Sequence, residues 1–154
     1  MATNASHKSQ FYVVELGIAD ADDAYPLIRS IAPEVSQKDW QGYIRRRCRA
    51  GGFKGLFDGN GMLFGLFSYR IGERLRQGRV LALDDFVTFE LSHAAPGREL
   101  LIATAEKLAQ NLGCTGVEVR IGARGIANAA SGKVSGWMTL GIDLDSVVLV
   151  KSLR

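Results

Sequence analysis

Cysteine and histidine are scarce here, with 2 of each among 154 residues. Cys48 and Cys114 stand far apart, and only His7 and His93 could accompany them. That pattern is neither a disulfide framework nor zinc-ligand spacing, so no metal site is expected and the thiols read as free in a reducing cytoplasm. Long apolar runs are missing too. None reaches the ~20 residues that span a bilayer, so no membrane partner is expected. The opening MATNASHKSQ lacks the apolar core of a secretory signal and reads as a disordered lead-in over residues 1–10. Repeats, low-complexity segments and linkers are absent, and residues 11–154 read as one domain. Charge of one sign is not in large excess, since 19 basic and 16 acidic residues leave a net +3. Arg45, Arg46, Arg47 and Arg49 nevertheless crowd one short segment. Such a cluster suits phosphate, acidic lipid or nucleic acid, or else a solvated helix C-terminus where cations complement the dipole. No aromatic residues interleave with the basic ones, so nucleic acid is not an expected partner.

What is present is a chain of ordinary globular composition, 47% hydrophobic and 23% charged. Its organising stretch runs from Leu81 to Val119. Val80 to Leu91 is a nearly continuous apolar run interrupted by Asp84 and Asp85, which suits a central strand covered on both faces. Turn-forming residues follow, and Pro96 can open a helix because its missing N–H is not needed there. Leu101, Ala105, Leu108 and Leu112 then form one apolar stripe, Gly113 ends the helix, and Val117 to Val119 begins another strand. A strand–helix–strand unit of this length implies parallel pairing through a right-handed crossover, with any anion expected over the helix N-terminus.

Upstream, Phe11 to Leu16 reads as a strand. Asp20 is placed to cap a first helix that Pro33 stops, and Ser36 with Asp39 forms a capping pair for a second. In that second helix Trp40, Ile44 and either Arg47 or Cys48 share one side, and Gly51-Gly52 ends it. Phe53 to Phe57, the turn Asp58-Gly59-Asn60-Gly61 and Met62 to Arg70 then form a hairpin. Gly65 is a candidate for a bulge or a close approach. After Arg120 the chain reads as a helix rich in Ala, Gly and Ser, and Ser146 to Leu153 as a final strand. The fold class is therefore α/β with a mixed sheet, an antiparallel meander joined to a parallel crossover. A final strand so apolar leaves an edge liable to pair, and a symmetric homodimer is one way to cover it.

Several segments, taken in order, resemble the GNAT superfamily of N-acetyltransferases. Leu83-Asp84-Asp85-Phe86-Val87 is similar to the Glu-Asp-Leu/Phe-x-Val strand of polyamine-type members. Gly65-Leu66-Phe67-Ser68-Tyr69 resembles the strand before it, and Trp137 to Ile142 (WMTLGI) resembles the Tyr-x-x-Leu-Gly-Phe ending. The resemblance covers Phe11 to Leu153. It implies acetyl-coenzyme A (acetyl-CoA) as cosubstrate and a primary amine of a small molecule or peptide as acceptor, with direct acetyl transfer. The coenzyme would lie along Phe86, Val87 and Thr88, with its pyrophosphate over Ala95, Pro96, Gly97, Arg98 and Glu99.

Strand neighbours point to opposite faces, so one of Asp84 and Asp85 is expected to be structural and the other to face the acceptor. The resemblance assigns Asp84 the catalytic place, as base or amine anchor. Two departures stand out. His93-Ala94-Ala95-Pro96-Gly97-Arg98 occupies the place of Gln/Arg-x-x-Gly-x-Gly/Ala, so Pro96 and Arg98 replace glycines. Trp137 stands where many members carry a Tyr that protonates the departing thiolate, a task indole cannot perform. The alternative is a non-catalytic binding or regulatory protein of the same fold that has lost acetyl-CoA.

Overall fold

The β-branched and aromatic segment YVVEL forms the edge strand β1 (Tyr12–Leu16). A short 3-10 turn leads into α1 (Ala21–Ile31). Asp20 does not cap α1 with its side chain; its carboxylate accepts from the Gly17 N–H at 2.8 Å. The expected capping pair opens α2 (Gln37–Ala50), where Ser36 Oγ accepts from the Asp39 N–H at 3.1 Å. A meander follows through β2 (Gly51–Phe57), β3 (Leu63–Arg74) and β4 (Gly78–Thr88). Pro96 is the first residue of α3 (Pro96–Asn111), and Gly113, at φ 72°, lets the chain leave that helix toward β5 (Gly116–Val119). The computed structural model describes residues 11–89, 96–122 and 137–153.

The sheet order is β1-β2-β3-β4-β5, antiparallel throughout except for the parallel β4–β5 pair. This is the mixed α/β arrangement that the sequence pattern implies. Helices cover both faces. Leu66 packs with Leu16, Leu27, Trp40, Ile44, Phe53 and Val87 in the core beneath α1 and α2. At the adjacent Gly65, on the opposite face, an added Cβ would come within 3.4 Å of Leu101 in α3. Trp40 is wholly buried, and its indole N–H donates to the Ala21 carbonyl at 2.7 Å, which fastens α2 to α1.

The chain divides into two compact units, Met1–Ile121 and Gly122–Arg154. In the second unit, residues 137–142 form a short turn closed by bonds from Leu140 and Ile142 to the Trp137 carbonyl. Most of the helix expected after Arg120 falls outside the described residues. The final strand expected over Ser146 to Leu153 is not formed. Among the described residues this segment belongs to no sheet, and Val147, Val148, Leu149 and Val150 are 66%, 61%, 91% and 87% exposed. A strand needs a ladder partner as well as β-forming side chains, and composition reports only the second.

Gly65 also lets β3 lie close against β4, because a Cβ there would sit 2.8 Å from the Val87 carbonyl oxygen. Gly65→Ala is expected to cost about 1–3 kcal/mol, the usual range for overpacking. The check is a urea titration, where the midpoint should fall at unchanged slope. An unchanged midpoint would show that β3 and β4 can separate there at no cost.

Candidate active site

The β3–β4 ladder is irregular at one place. Phe67 pairs with Phe86 and Tyr69 with Leu83, so Ser68 alone faces both Asp84 and Asp85. Such a bulge reverses the usual alternation of side chains. Ala82 pairs with Arg70 and Val87 with Leu66, and those β3 residues share the α2 face with Ser68. Counting two residues on from Ala82 and two back from Val87 puts Asp84 and Asp85 on that same face. This corrects the expectation that the two acids point to opposite sides, which holds only for an unbulged strand.

Two adjacent carboxylates on one face, largely out of water, need positive charge or hydrogen-bond donors. Helix α2 and strand β3 supply both. Asp84 Oδ2 accepts from Arg70 Nε at 2.7 Å and lies 3.2 Å from an Arg47 amino nitrogen, with the Asp84 side chain only 11% exposed. Asp85 Oδ2 accepts from the hydroxyls of Tyr43 and Ser68, both at 2.6 Å. The Asp85 N–H donates in turn to Ser68 Oγ at 3.1 Å. Arg47 joins the halves by donating to the Tyr43 hydroxyl at 3.0 Å. Burial, and then the bond to Asp85, raise the Tyr43 pKa, so its phenol stays a proton donor through the neutral range.

The bulge coincides with the end of the parallel ladder. The last β4–β5 pair is Leu83 with Val119, closed by a bond of 3.0 Å from the Arg120 N–H to the Leu83 carbonyl. β4 continues through Thr88, whereas β5 ends at Val119. The sheet therefore parts at Asp84. Since α3 follows β4, its N-terminus lies toward the carboxyl end of β4, where a small anion is favoured.

The other residues singled out in the sequence take distinct places. Phe86 stacks on Phe67 with ring planes 2° apart, Val87 is buried in the α1–α2 core, and Thr88 is half-buried. In the first turn of α3, Pro96 and Glu99 are exposed, Gly97 is buried and Arg98 is half-buried. Ala95, Glu90 and His93 lie outside the described residues. Trp137 belongs to the second unit. Tyr69, a phenol that could stand in for the Tyr replaced by Trp137, donates its hydroxyl to Glu15 at 2.8 Å, and burial and that carboxylate raise its pKa strongly. Both effects disfavour it as an acid. Among the described residues no cluster of His, Cys, Asp and Glu could hold a metal ion.

Sequence reasoning passed over Tyr43, Ser68 and Arg70. Besides the two acids, the signal for the network was Arg47, a candidate with Cys48 for the inward stripe of α2, a costly position unless an acid waits there.

No protein-family profile matches the sequence, and no curated protein matches it either. Solved structures do. Aminoglycoside N-acetyltransferase AAC(6')-Iy, in complex with CoA, superposes with a TM-score of 0.77 at 15% identity, over 97% of this chain and 98% of its own. Ribosomal-protein-alanine N-acetyltransferase from Brucella melitensis gives 0.70 at 15% identity, over 94% and 100%. Glucosamine-6-phosphate N-acetyltransferase from Arabidopsis thaliana gives 0.67 at 14% identity, over 94% and 99%. The chain has the GNAT N-acetyltransferase fold. At such identities the likeness lies in the architecture, and the acceptors differ from one of these proteins to the next. What is shared is the mixed α/β architecture over nearly the whole chain.

Asp84→Asn keeps shape and removes the charge on which two guanidinium groups converge. Stability is expected to fall by about 2 kcal/mol, below the range for a fully buried pair because both arginines are part-exposed. Thermal melting reads this directly. An unchanged melting temperature would show that Arg47 and Arg70 find other partners.

Proposed function

We propose that the protein is an N-acetyltransferase that moves the acetyl group of acetyl-CoA to a primary amine of a small molecule or peptide. The observation that carries this reading is the parting of β4 from β5 at Leu83 beside the Asp84–Asp85 bulge. A parted parallel pair exposes a stretch of backbone along which an amide-bearing chain, such as the pantetheine arm, can lie. Phe86, Val87 and Thr88 occupy that stretch. The pyrophosphate would sit at the first turn of α3, where the N–H groups of Gly97, Arg98 and Glu99, the helix dipole and the Arg98 guanidinium favour negative charge. Pro96 offers no donor. The residues present therefore fit the coenzyme, with a cationic side chain standing where a glycine would otherwise admit the phosphate.

In direct transfer the amine nitrogen bonds to the acetyl carbon, the carbon–sulfur bond breaks, and the thiolate leaves and takes up a proton. The ammonium form of the acceptor must first lose a proton, which calls for a base within reach. Asp84 Oδ2 is already shared by Arg47 and Arg70. A proton taken there would compete with one charge-assisted hydrogen bond, from Arg70, and with the ion pair to Arg47. This favours Asp84 as a fixed anchor in the cleft wall over Asp84 as the base. The same reading places the protein in the cytoplasm, where the free Cys48 and Cys114 would stay reduced. No helix among the described residues is long and apolar enough to cross a membrane.

A homodimer is also proposed. The observation behind it is the exposed apolar segment from Val147 to Leu153, including Leu149 at 91% and Leu153 at 92%. Contiguous apolar surface on this scale marks an interaction site, and a two-fold copy is the commonest cover.

Titration calorimetry with acetyl-CoA is expected to show saturable binding by the parent protein. Arg98→Glu should weaken it by about 1–3 kcal/mol, the scale of one lost charge-assisted hydrogen bond. No binding by the parent would leave the fold as a non-catalytic binding or regulatory module, the alternative reading. Light scattering is expected to give about twice the 16.7 kDa chain mass, and Val148→Lys should restore the monomer. A parent protein already monomeric at micromolar concentration would rule the dimer out.

A further inference from the structure

In the Asp85 half of the network the donors to the carboxylate are hydroxyls, and its parts come from three separate elements. Tyr43 belongs to α2, Ser68 to β3 and Asp85 to β4. Ser68 is the buried polar residue of the described core, at 0% exposure. A buried hydroxyl is retained at a cost unless its bonds are made, and here they are made within the bulge. Ser68 Oγ accepts the Asp85 N–H, which the extra residue has displaced from the regular ladder, and gives its own proton to the Asp85 carboxylate. The Tyr43 hydroxyl donates to that same oxygen at 2.6 Å. Arg47, donating to Tyr43 from one turn further along α2, leaves the phenol proton directed at Asp85. Tyr43 is itself fixed by its neighbours, with its ring edge-on to Phe53 and the Arg47 guanidinium 5.4 Å from its centroid.

A bulge not held in this way could slip by one residue, returning the strand to regular pairing. The residues past the bulge would then change faces, Phe86 to Thr88 among them. We infer that Tyr43 and Ser68 are positioning residues, a latch from α2 and β3 that fixes the bulge and so sets the stretch of β4 that receives acetyl-CoA. The inference rests on the acetyl-CoA reading. It adds that an α2 side chain outside the proposed coenzyme contacts controls the affinity.

The test is titration of the full chain with acetyl-CoA, comparing the parent with Tyr43→Phe, Ser68→Ala and the double variant. Tyr43→Phe keeps the ring and its packing and removes only the hydroxyl, so it stays informative if Ser68→Ala folds poorly. Each single variant is expected to raise Kd about tenfold, the equivalent of one lost hydrogen bond. The double variant should fall well short of the roughly hundredfold that independent sites would give, because both hydroxyls act through one carboxylate. The calorimetric stoichiometry separates this from a merely structural role. Irreversibly misfolded protein lowers the number of sites and leaves Kd unchanged, whereas a shifted β4 raises Kd at full occupancy in a variant that thermal melting shows to be fully folded at the titration temperature. Parent-like Kd values in both variants, or a change confined to stoichiometry, would overturn the latch alone. Failure of the parent to bind acetyl-CoA would overturn the coenzyme reading and the latch with it.

Discussion

Two neighbouring carboxylates on one face of a central strand set the terms for the rest of this structure. A regular strand would separate Asp84 from Asp85 and bury one on each side. The bulge opposite Ser68 puts them together, and the molecule must then bring cations and hydroxyl donors to a single place. Helix α2 meets that demand with Arg47 and Tyr43, four residues apart and so on one side of the helix. Strand β3 adds Ser68 and Arg70, two residues apart and so on one side of the strand. Apolar packing around Trp40 and Phe53 seats α2 on the sheet, and the bonds from Arg47 and Tyr43 tie it to β4 at Asp84 and Asp85.

The architecture was legible in the sequence wherever periodicity or turn chemistry is local. Ser36 and Asp39 announced the start of α2, Gly113 the end of α3, and Pro96 its beginning, because each acts through backbone within one turn of itself. The crossover followed from length alone. Asp20 misled because its carboxylate found the Gly17 N–H, a local competitor that propensity does not rank. Ser146 to Leu153 misled for a different reason. Its side chains are those of a buried strand, yet pairing is a property of two segments, and only one of them can be read at a time.

The candidate site was legible in part. The pair Asp84–Asp85 inside an apolar run drew attention to the right strand, since uncompensated charge there is costly. Their common face was hidden, because a bulge is set by how β3 and β4 register and no residue in Leu83 to Val87 encodes it alone. The partners were hidden for the same reason. Tyr43 and Ser68 are ordinary residues in ordinary elements until the fold brings them 2.6 Å from Asp85. Asp84, which the resemblance marked as base or amine anchor, is the acid that Arg47 and Arg70 both pair. The coenzyme contacts proposed for the backbone of β4 and the first turn of α3 carry no side-chain signature beyond Gly97 and Arg98.

On the proposed function, β4 beyond its pairing with β5 presents Phe86 to Thr88 to acetyl-CoA while the first turn of α3 takes its pyrophosphate. Amide hydrogen exchange with and without acetyl-CoA tests this residue by residue. Slowed exchange is expected at Phe86, Val87, Thr88 and at Gly97 to Glu99, with the amides of β1 and β2 unchanged. Exchange at those β4 and α3 amides that is the same with and without saturating acetyl-CoA would contradict it.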